Sequence, residues 1–284
     1  RIVNGSDGGM ATSTDGGSSW TNPNVGYNTT QFYGVDKKPG ASQYLGGTQD
    51  NGSWLSPIDP SVTSAWTKVL GGDGFVGVWN YKDANKLMAA SQNNGLARST
   101  NGGSSFSNAV TDLTDVGSPS APFITQIGKS NSDTDLLFVL GSSGIWRSDN
   151  FGENWTLFRV NSSDWGFGNV VSAAISLADP QVVWAGNRMS NSGTTGKVHV
   201  STDGGVSFTP TTNYTGAPLG RVSSLATHPT QSRTAYALFS IAKGPKILRT
   251  TDLGQTWQDI SGFGSGSVST NGFPDVATYS LLVM

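Results

Sequence analysis

The chain has 284 residues, 17 of them Lys or Arg and 19 Asp or Glu, for a formal charge of −2. Only 13% of residues are charged and no basic block occurs, which argues against nucleic acid or an acidic membrane surface as a partner. Cysteine is absent, which excludes disulfides and thiolate metal ligation, and no apolar run is long enough to cross a bilayer as a helix.

The predicted elements are short strands between turns rich in Gly, Ser, Thr and Asn, and no long stretch carries a 3.6-residue apolar period. Residues 1–4 and 10–13 read as two strands leading into the turn Ser13-Thr14-Asp15-Gly16-Gly17-Ser18-Ser19-Trp20. Residues 32–36 then open a unit as its innermost strand, followed by 43–48, 53–56 and 66–70. The next unit runs through 75–80, 86–91 and 96–99 to Ser99-Thr100-Asn101-Gly102-Gly103-Ser104-Ser105-Phe106. Residues 123–128, 136–140 and 145–148 lead to Ser148-Asp149-Asn150-Phe151-Gly152-Glu153-Asn154-Trp155. Residues 170–176 and a third strand containing His199 lead to Ser201-Thr202-Asp203-Gly204-Gly205-Val206-Ser207-Phe208. Residues 221–227, 235–239 and 246–250 lead to Thr250-Thr251-Asp252-Leu253-Gly254-Gln255-Thr256-Trp257, and 276–283 read as one more innermost strand with nothing after it.

The five turns share the pattern Ser/Thr-x-Asp/Asn-x-Gly-x-Ser/Thr/Asn-Trp/Phe, and their third positions are spaced by 86, 49, 53 and 49 residues. The first gap holds two units, one without the turn. A repeat of about 40–50 residues is the size of a four-stranded propeller blade. Asp15, Asn101, Asn150, Asp203 and Asp252 can accept hydrogen bonds from backbone N–H groups ahead of them, and the Gly supplies a backbone angle that other residues resist. Trp20, Phe106, Trp155, Phe208 and Trp257 then start the next strand and are expected to pack between sheets. These residues therefore read as structural. The expectation is one all-β domain over 1–284, a β-propeller of six four-stranded blades with seven as the alternative count, closed by pairing 276–283 with 1–4. With no signal peptide and a first residue other than Met, the chain reads as a mature form or a segment of something longer.

The five turns resemble the Asp-box, or BNR repeat, of sialidases, xyloglucanases, sortilin-type receptors and secreted bacterial proteins. The resemblance implies an extracellular or cell-surface propeller. Its expected role is a binding or scaffold module for polysaccharide or protein, with further domains of the same polypeptide as other partners. The alternative is a glycoside hydrolase of the xyloglucanase type, or part of one, and a third reading is a structural module of a surface adhesin. A sialidase is not expected, since that chemistry needs a Glu beside a Tyr nucleophile and an Arg triad. The chain's one Glu, Glu153, lies in a repeated turn, and Arg98, Arg147 and Arg249 each precede such a turn at the same position.

Chemistry is expected at the opposite end of the blades, where the second-to-third strand turns and the crossovers lie. Asp7, Asp50, Asn51, Asp73 and Asn93 fall there in Gly-rich turns of neighbouring units. Asp and Asn beside Gly are good turn formers. The functional alternative is a pair, Asp50 and Asp73, for sugar hydrolysis, or an oxygen-ligand set for Ca²⁺. Trp165 and Tyr214, with Tyr27 and Phe273, sit in predicted crossovers as aromatic platforms for a sugar or peptide. No cofactor is expected, and with two His, His199 and His228, and no Cys, a soft-metal site has no source.

Overall fold

A computed structural model describes residues 1–6, 9–22, 30–165, 172–186, 188–189, 197–212 and 220–284. Short apolar runs bounded by Gly and Asn turns fold into antiparallel hairpins. Residues 137–141 and 144–148, for example, pair from Leu137↔Ser148 to Gly141↔Gly144 around a two-residue loop.

Blade one contains β1 (Ile2–Ser6) and β2 (Gly9–Ser13), with Thr21 bridged to Thr12 as the stub of an outer strand. Blade two is β3 (Phe32–Lys37), β4 (Tyr44–Thr48), β5 (Gly52–Leu55) and β6 (Thr67–Leu70), and blade three is β7 (Gly77–Trp79), β8 (Leu87–Ser91), β9 (Gly95–Ser99) and β10 (Ser107–Asn108). Blade four is β11 (Gly128–Lys129), β12 (Leu137–Gly141), β13 (Gly144–Ser148) and β14 (Thr156–Arg159), followed by a helical turn, α1 (Ser162–Trp165). Blade five is β15 (Ser172–Ile175), β16 (Val183–Gly186), β17 (His199–Ser201) and β18 (Thr209–Pro210). Blade six is β19 (Val222–Thr227), β20 (Ala235–Phe239), β21 (Ile247–Thr250) and β22 (Gln258–Asp259).

In blades two to six the four strands pair in chain order, innermost first. Inner strands stand side by side, β3 against β7, β11 against β15 and β15 against β19. The core is a series of slabs between consecutive blades. Leu45 and Leu55 meet Trp79 and Leu87, Met88 and Leu96 meet Leu137 and Trp146, Leu136 and Phe138 meet Val183, and Trp184 meets Leu225 and Phe239. Burial of each such side chain contributes about 1.5–3 kcal/mol, so blade-to-blade packing carries the fold. The architecture is an all-β propeller of six sheets.

Two expectations change. Blade one has two strands rather than four, and among the described residues β1 pairs only with β2. Residues 276–283 form no strand and do not pair with β1. They lie instead beside blade six. There Leu281 and Val283 pack on Tyr236, Leu238 and Ile247, the Thr278 N–H donates to the Phe239 carbonyl at 3.3 Å, and the Ser223 hydroxyl donates to the Thr278 carbonyl. Blade one consequently exposes its apolar side chains. Trp20 is 47% exposed, so it is not a core residue.

Candidate functional site

The repeated turns join the third strand of a blade to the fourth, and all five fold alike. The first-position hydroxyl donates to the third-position oxygen at 2.7–2.9 Å and accepts the N–H of the fifth-position Gly at 2.8–2.9 Å. The third-position side chain also accepts the N–H of the seventh residue, at 2.9 Å from Ser207 to Asp203 and from Thr256 to Asp252. Hydroxyls of Ser207 and Ser201 and the Ser207 N–H hold the Asp203 carboxyl down to about 2, and the Ser19 hydroxyl and N–H likewise hold Asp15 well below the usual carboxylate range. Such carboxylates are anions committed to a turn, not acids in waiting.

This end of the blades is bolted together by a second repeated contact that the sequence pattern did not suggest. The fourth-position N–H of the turn donates to the loop between the first and second strands of its own blade. The pairs are Gly102 to Asn85, Phe151 to Asp135, Gly204 to Gln181 and Leu253 to Arg233, at 2.9–3.1 Å. Arginines then link blades. Arg98 donates to the Asn150 carbonyl at 3.3 Å and lies 3.5 Å from Glu153, and Arg147 Nε donates to the Gly204 carbonyl at 2.9 Å. The single Glu is thus a partner of a structural arginine. Arg249, at the same position in blade six, has a buried Nε with no partner among the described residues.

At the opposite end, Asp50 and Asp73 come together as neighbouring turns. The Asp73 carboxylate accepts the Asp50 N–H at 2.8 Å, and the Asp73 N–H is in turn held by Gln92 Oε1 of blade three at 2.9 Å. Asp50 adopts a φ of 58°, a left-handed conformation that Asp tolerates in turns. Asn51 folds back through its amide onto the Gln49 carbonyl at 3.0 Å, and its own carbonyl accepts Trp54 Nε1 at 2.9 Å. Asn93 is drawn toward the next crossover, its N–H donating to the Pro122 carbonyl at 3.1 Å and its carbonyl accepting the Gly117 N–H at 2.9 Å. Asp7, Tyr27 and Tyr214 lie outside the described residues.

Trp165 is not an exposed platform. It is 2% exposed, its indole N–H donates to the Gly141 carbonyl at 2.7 Å, and its ring stands edge-on to His199 at 5.8 Å. The helical turn α1 swings it inward between blades four and five, an inversion that a Gly-flanked loop sequence does not announce. Phe273 is likewise half-buried against the Tyr236–Leu238–Ile247 cluster. His199 is buried, and burial pushes it down to about 4, with the nearby Asp164 pulling the other way.

Sequence reasoning also missed two polar clusters. The buried Asp115 carboxylate accepts Trp146 Nε1 at 2.8 Å, the Ser143 N–H at 2.9 Å and the Ser143 hydroxyl at 3.0 Å. Near the boxed end, Asp36, Tyr81 and Lys129 from three blades meet, with Lys129 Nζ 2.6 Å from Asp36 and 2.9 Å from the Tyr81 hydroxyl. A single Asp or Lys carries no signal of such a distant partner in its own local sequence. Three cavities lined by described residues lie around Lys37–Asp59, along the inner strands beside 281–283, and around Lys129–Leu177; Asp50 and Asp73 line none of the three.

No protein-family model matches the sequence, and neither does any curated protein. Solved structures do match in fold. An ancestral GH74 enzyme aligns at 18% identity over 84% of this chain and 32% of its own, with a TM-score of 0.58. The GH74 xyloglucanase from Xanthomonas campestris aligns at 15% identity over 78% of this chain and 38% of its own, with a TM-score of 0.54. YCF48 bound to D1 peptide aligns at 12% identity over 88% of this chain and 73% of its own, with a TM-score of 0.50. At such identities the likeness is one of fold, that of a β-propeller, and the chain spans about a third of the length of the GH74 enzymes it matches.

Proposed function

We propose that this chain is an extracellular or cell-surface binding or scaffold propeller of the Asp-box kind, recognising polysaccharide or protein at the end that carries Asp50 and Asp73. The observation behind this reading is the use to which Asp73 is put. Its carboxylate holds the backbone of the neighbouring turn, and its backbone is held by Gln92, so the group serves as a clamp between blades two and three. A general acid for glycoside hydrolysis needs instead a carboxyl free to meet the leaving oxygen across a cleft from its partner. No cofactor belongs to this reading. A cation held at this end would be a hard ion such as Ca²⁺, on Asp, Asn and backbone oxygens.

The likeness to two GH74 enzymes, one titled a xyloglucanase, favours glycoside hydrolysis as the second reading. The likeness to a propeller bound to a peptide supports a protein ligand within the first. The test is a screen of the purified chain against plant and algal polysaccharides and a peptide library, scoring retention and release of reducing ends separately. Retention without release is expected. Robust release that disappears in Asp50→Asn and Asp73→Asn, with folding intact, would make the hydrolase reading correct.

A further inference from the structure

Three aromatic rings from three blades meet where the inner strands begin, at the end that carries Asp50 and Asp73. Tyr33 belongs to β3, Phe75 leads into β7, and Phe123 stands in the crossover ahead of β11. The Tyr33 and Phe75 rings lie 4.7 Å apart, tilted at 53°, and Phe123 meets Phe75 edge-on at 5.7 Å. Phe75 is 1% exposed, whereas Tyr33 and Phe123 are 40% and 44% exposed. The candidate turns hold this cluster. Gly74, next to Asp73, donates its N–H to the Thr48 carbonyl at 2.9 Å, and the Phe75 N–H donates to the Ala90 carbonyl at 3.0 Å. The Asn93 N–H reaches the Phe123 carbonyl at 3.4 Å.

The exposed rings are aimed and seated on a fixed base. β3 breaks register at Tyr33, since Phe32 pairs with Thr48 and Gly34 with Gly47, which leaves Tyr33 as the extra residue of a bulge. A bulge re-aims the side chain it carries and is over-represented beside active sites. Next to it the backbones of blades two and three touch, so that a Cβ on Gly47 would lie 1.9 Å from the Phe75 carbonyl oxygen. Rings placed this way lose little freedom when a ligand covers them. Polar groups stand ready at the same turns. Gln92 spends its Oε1 on the Asp73 N–H, while its Nε2, the Asn93 side-chain amide and the Tyr33 hydroxyl have no hydrogen-bond partner among the described residues.

We propose that Tyr33 and Phe123 are stacking platforms for the sugar rings of an uncharged polysaccharide. This rests on the binding function proposed for the Asp50–Asp73 end and names its ligand class. A pyranose ring presents C–H bonds on its face and hydroxyls at its edge, so it suits an aromatic surface with a few hydrogen-bonding groups beside it. Tyr33 and Phe123 supply the surface, and Gln92, Asn93 and the Tyr33 hydroxyl supply the donors and acceptors. An apolar peptide side chain would cover the rings but leave those polar groups without partners, at a desolvation cost. The Asp73 carboxylate accepts a backbone N–H and forms no ion pair among the described residues, so a uronic or sulfated glycan would meet uncompensated like charge.

The test is affinity electrophoresis of the full chain through gels containing xyloglucan, mixed-linkage β-glucan or galactomannan, with polygalacturonate as the charged probe. At least one neutral polysaccharide should retard the chain and polygalacturonate should not. Tyr33→Leu and Phe123→Leu keep apolar volume against Phe75 but remove the stacking face, and each should weaken retention at least about tenfold. Tyr33→Phe and Phe123→Tyr, which keep the rings, should bind within a few-fold of the wild type. Retention that both Leu variants leave unchanged overturns the platforms while the binding function of that end stands. Peptides held from the library with no polysaccharide retained also overturns them, and leaves that function with a protein ligand. Retention of neither sinks both. If a Leu variant does not match the wild type in circular dichroism and melting, the wild-type chain labelled with 3-fluorotyrosine decides. The fluorine resonance assigned to Tyr33 through Tyr33→Phe should shift when the retained polysaccharide is added, and an unmoved resonance refutes the proposal.

Discussion

The repeated turn places two residues in succession at positive φ, yet only the second is Gly in all five copies. Gly204 and Gly205 isolate the reason. Their φ angles are 71° and 81°, so an added Cβ meets about the same backbone penalty at either site, roughly 1–2 kcal/mol. The surroundings differ. A Cβ on Gly204 would meet Gln181 Oε1 at 3.4 Å, the end of a flexible side chain, whereas one on Gly205 would lie 2.4 Å from Cζ and 2.5 Å from Cε1 of Phe138. Phe138 is fully buried in blade four and stands edge-on to Phe208, so it has nowhere to move. Overpacking of that kind costs a further 1–3 kcal/mol or so. Gly205→Ala should therefore cost about 2–5 kcal/mol and Gly204→Ala about 1–2 kcal/mol. Urea titration and differential scanning calorimetry of both variants check this, with a difference in midpoint of several degrees between them expected at ~2–4 °C per kcal/mol. Equal destabilisation of the two variants, or a larger loss for Gly204→Ala, would refute the claim that the fifth position is Gly because it faces the preceding blade.

Trp165→Ala should destabilise the chain by about 3–5 kcal/mol in the same titration, and Trp20→Ala by far less, because the first indole is buried and bonded and the second half-exposed. Stability followed by urea midpoint should fall as pH drops from about 6.5 toward 4, since the fold accepts only neutral His199 while the unfolded chain takes up a proton near 6.5. That contribution, about 3 kcal/mol at most, is complete above the upper pH, and His199→Gln should flatten this window. A second loss should set in as pH falls through about 4 toward 2, since the unfolded Asp203 carboxyl takes up a proton near 3.8 while the folded one resists it down to about 2. Asp73→Asn should leave stability nearly unchanged, because an amide oxygen can still accept the Asp50 N–H, whereas Asp73→Ala should cost about 1–2 kcal/mol.

The architecture was legible because the repeat encodes it locally. Ser201, Asp203, Gly205 and Ser207 satisfy one another within seven residues, so their spacing alone announces the turn. The inner strands at 32–37 and 222–227 were legible for the same reason, as apolar runs between turn signals. What could not be read depends on contacts distant in sequence. Whether 276–283 joins β1 or lies on β19 is a choice between two apolar surfaces, and one extended sequence suits either. The burial of Trp165 depends on the Gly141 carbonyl, 24 positions earlier. The contact of Asp73 with Asp50 was approachable because both turns were placed on one end of adjacent blades, but the direction of its carboxylate follows from Gln92 holding its backbone.

The two ends of the blades divide structure from variation, and that division bears on where a ligand can act. At the boxed end the same hydrogen bonds recur blade after blade, from turn to loop and, where Arg is present, from blade to blade, so its polar groups are largely consumed by repetition. At the other end the contacts among the described residues differ from blade to blade. Blades two and three use Asp73 and Gln92, blades three and four use Asn94 and Asp115, and blade six uses Lys246 and Asp275. A contact repeated in every blade cannot distinguish one direction around the ring from another, and an asymmetric ligand needs that distinction. The side chains that differ from blade to blade are the ones able to supply it. On the function proposed above, recognition draws on the Asp50–Asp73 end, and a strongly repetitive sequence reveals its fold while leaving its ligand to the residues that do not repeat.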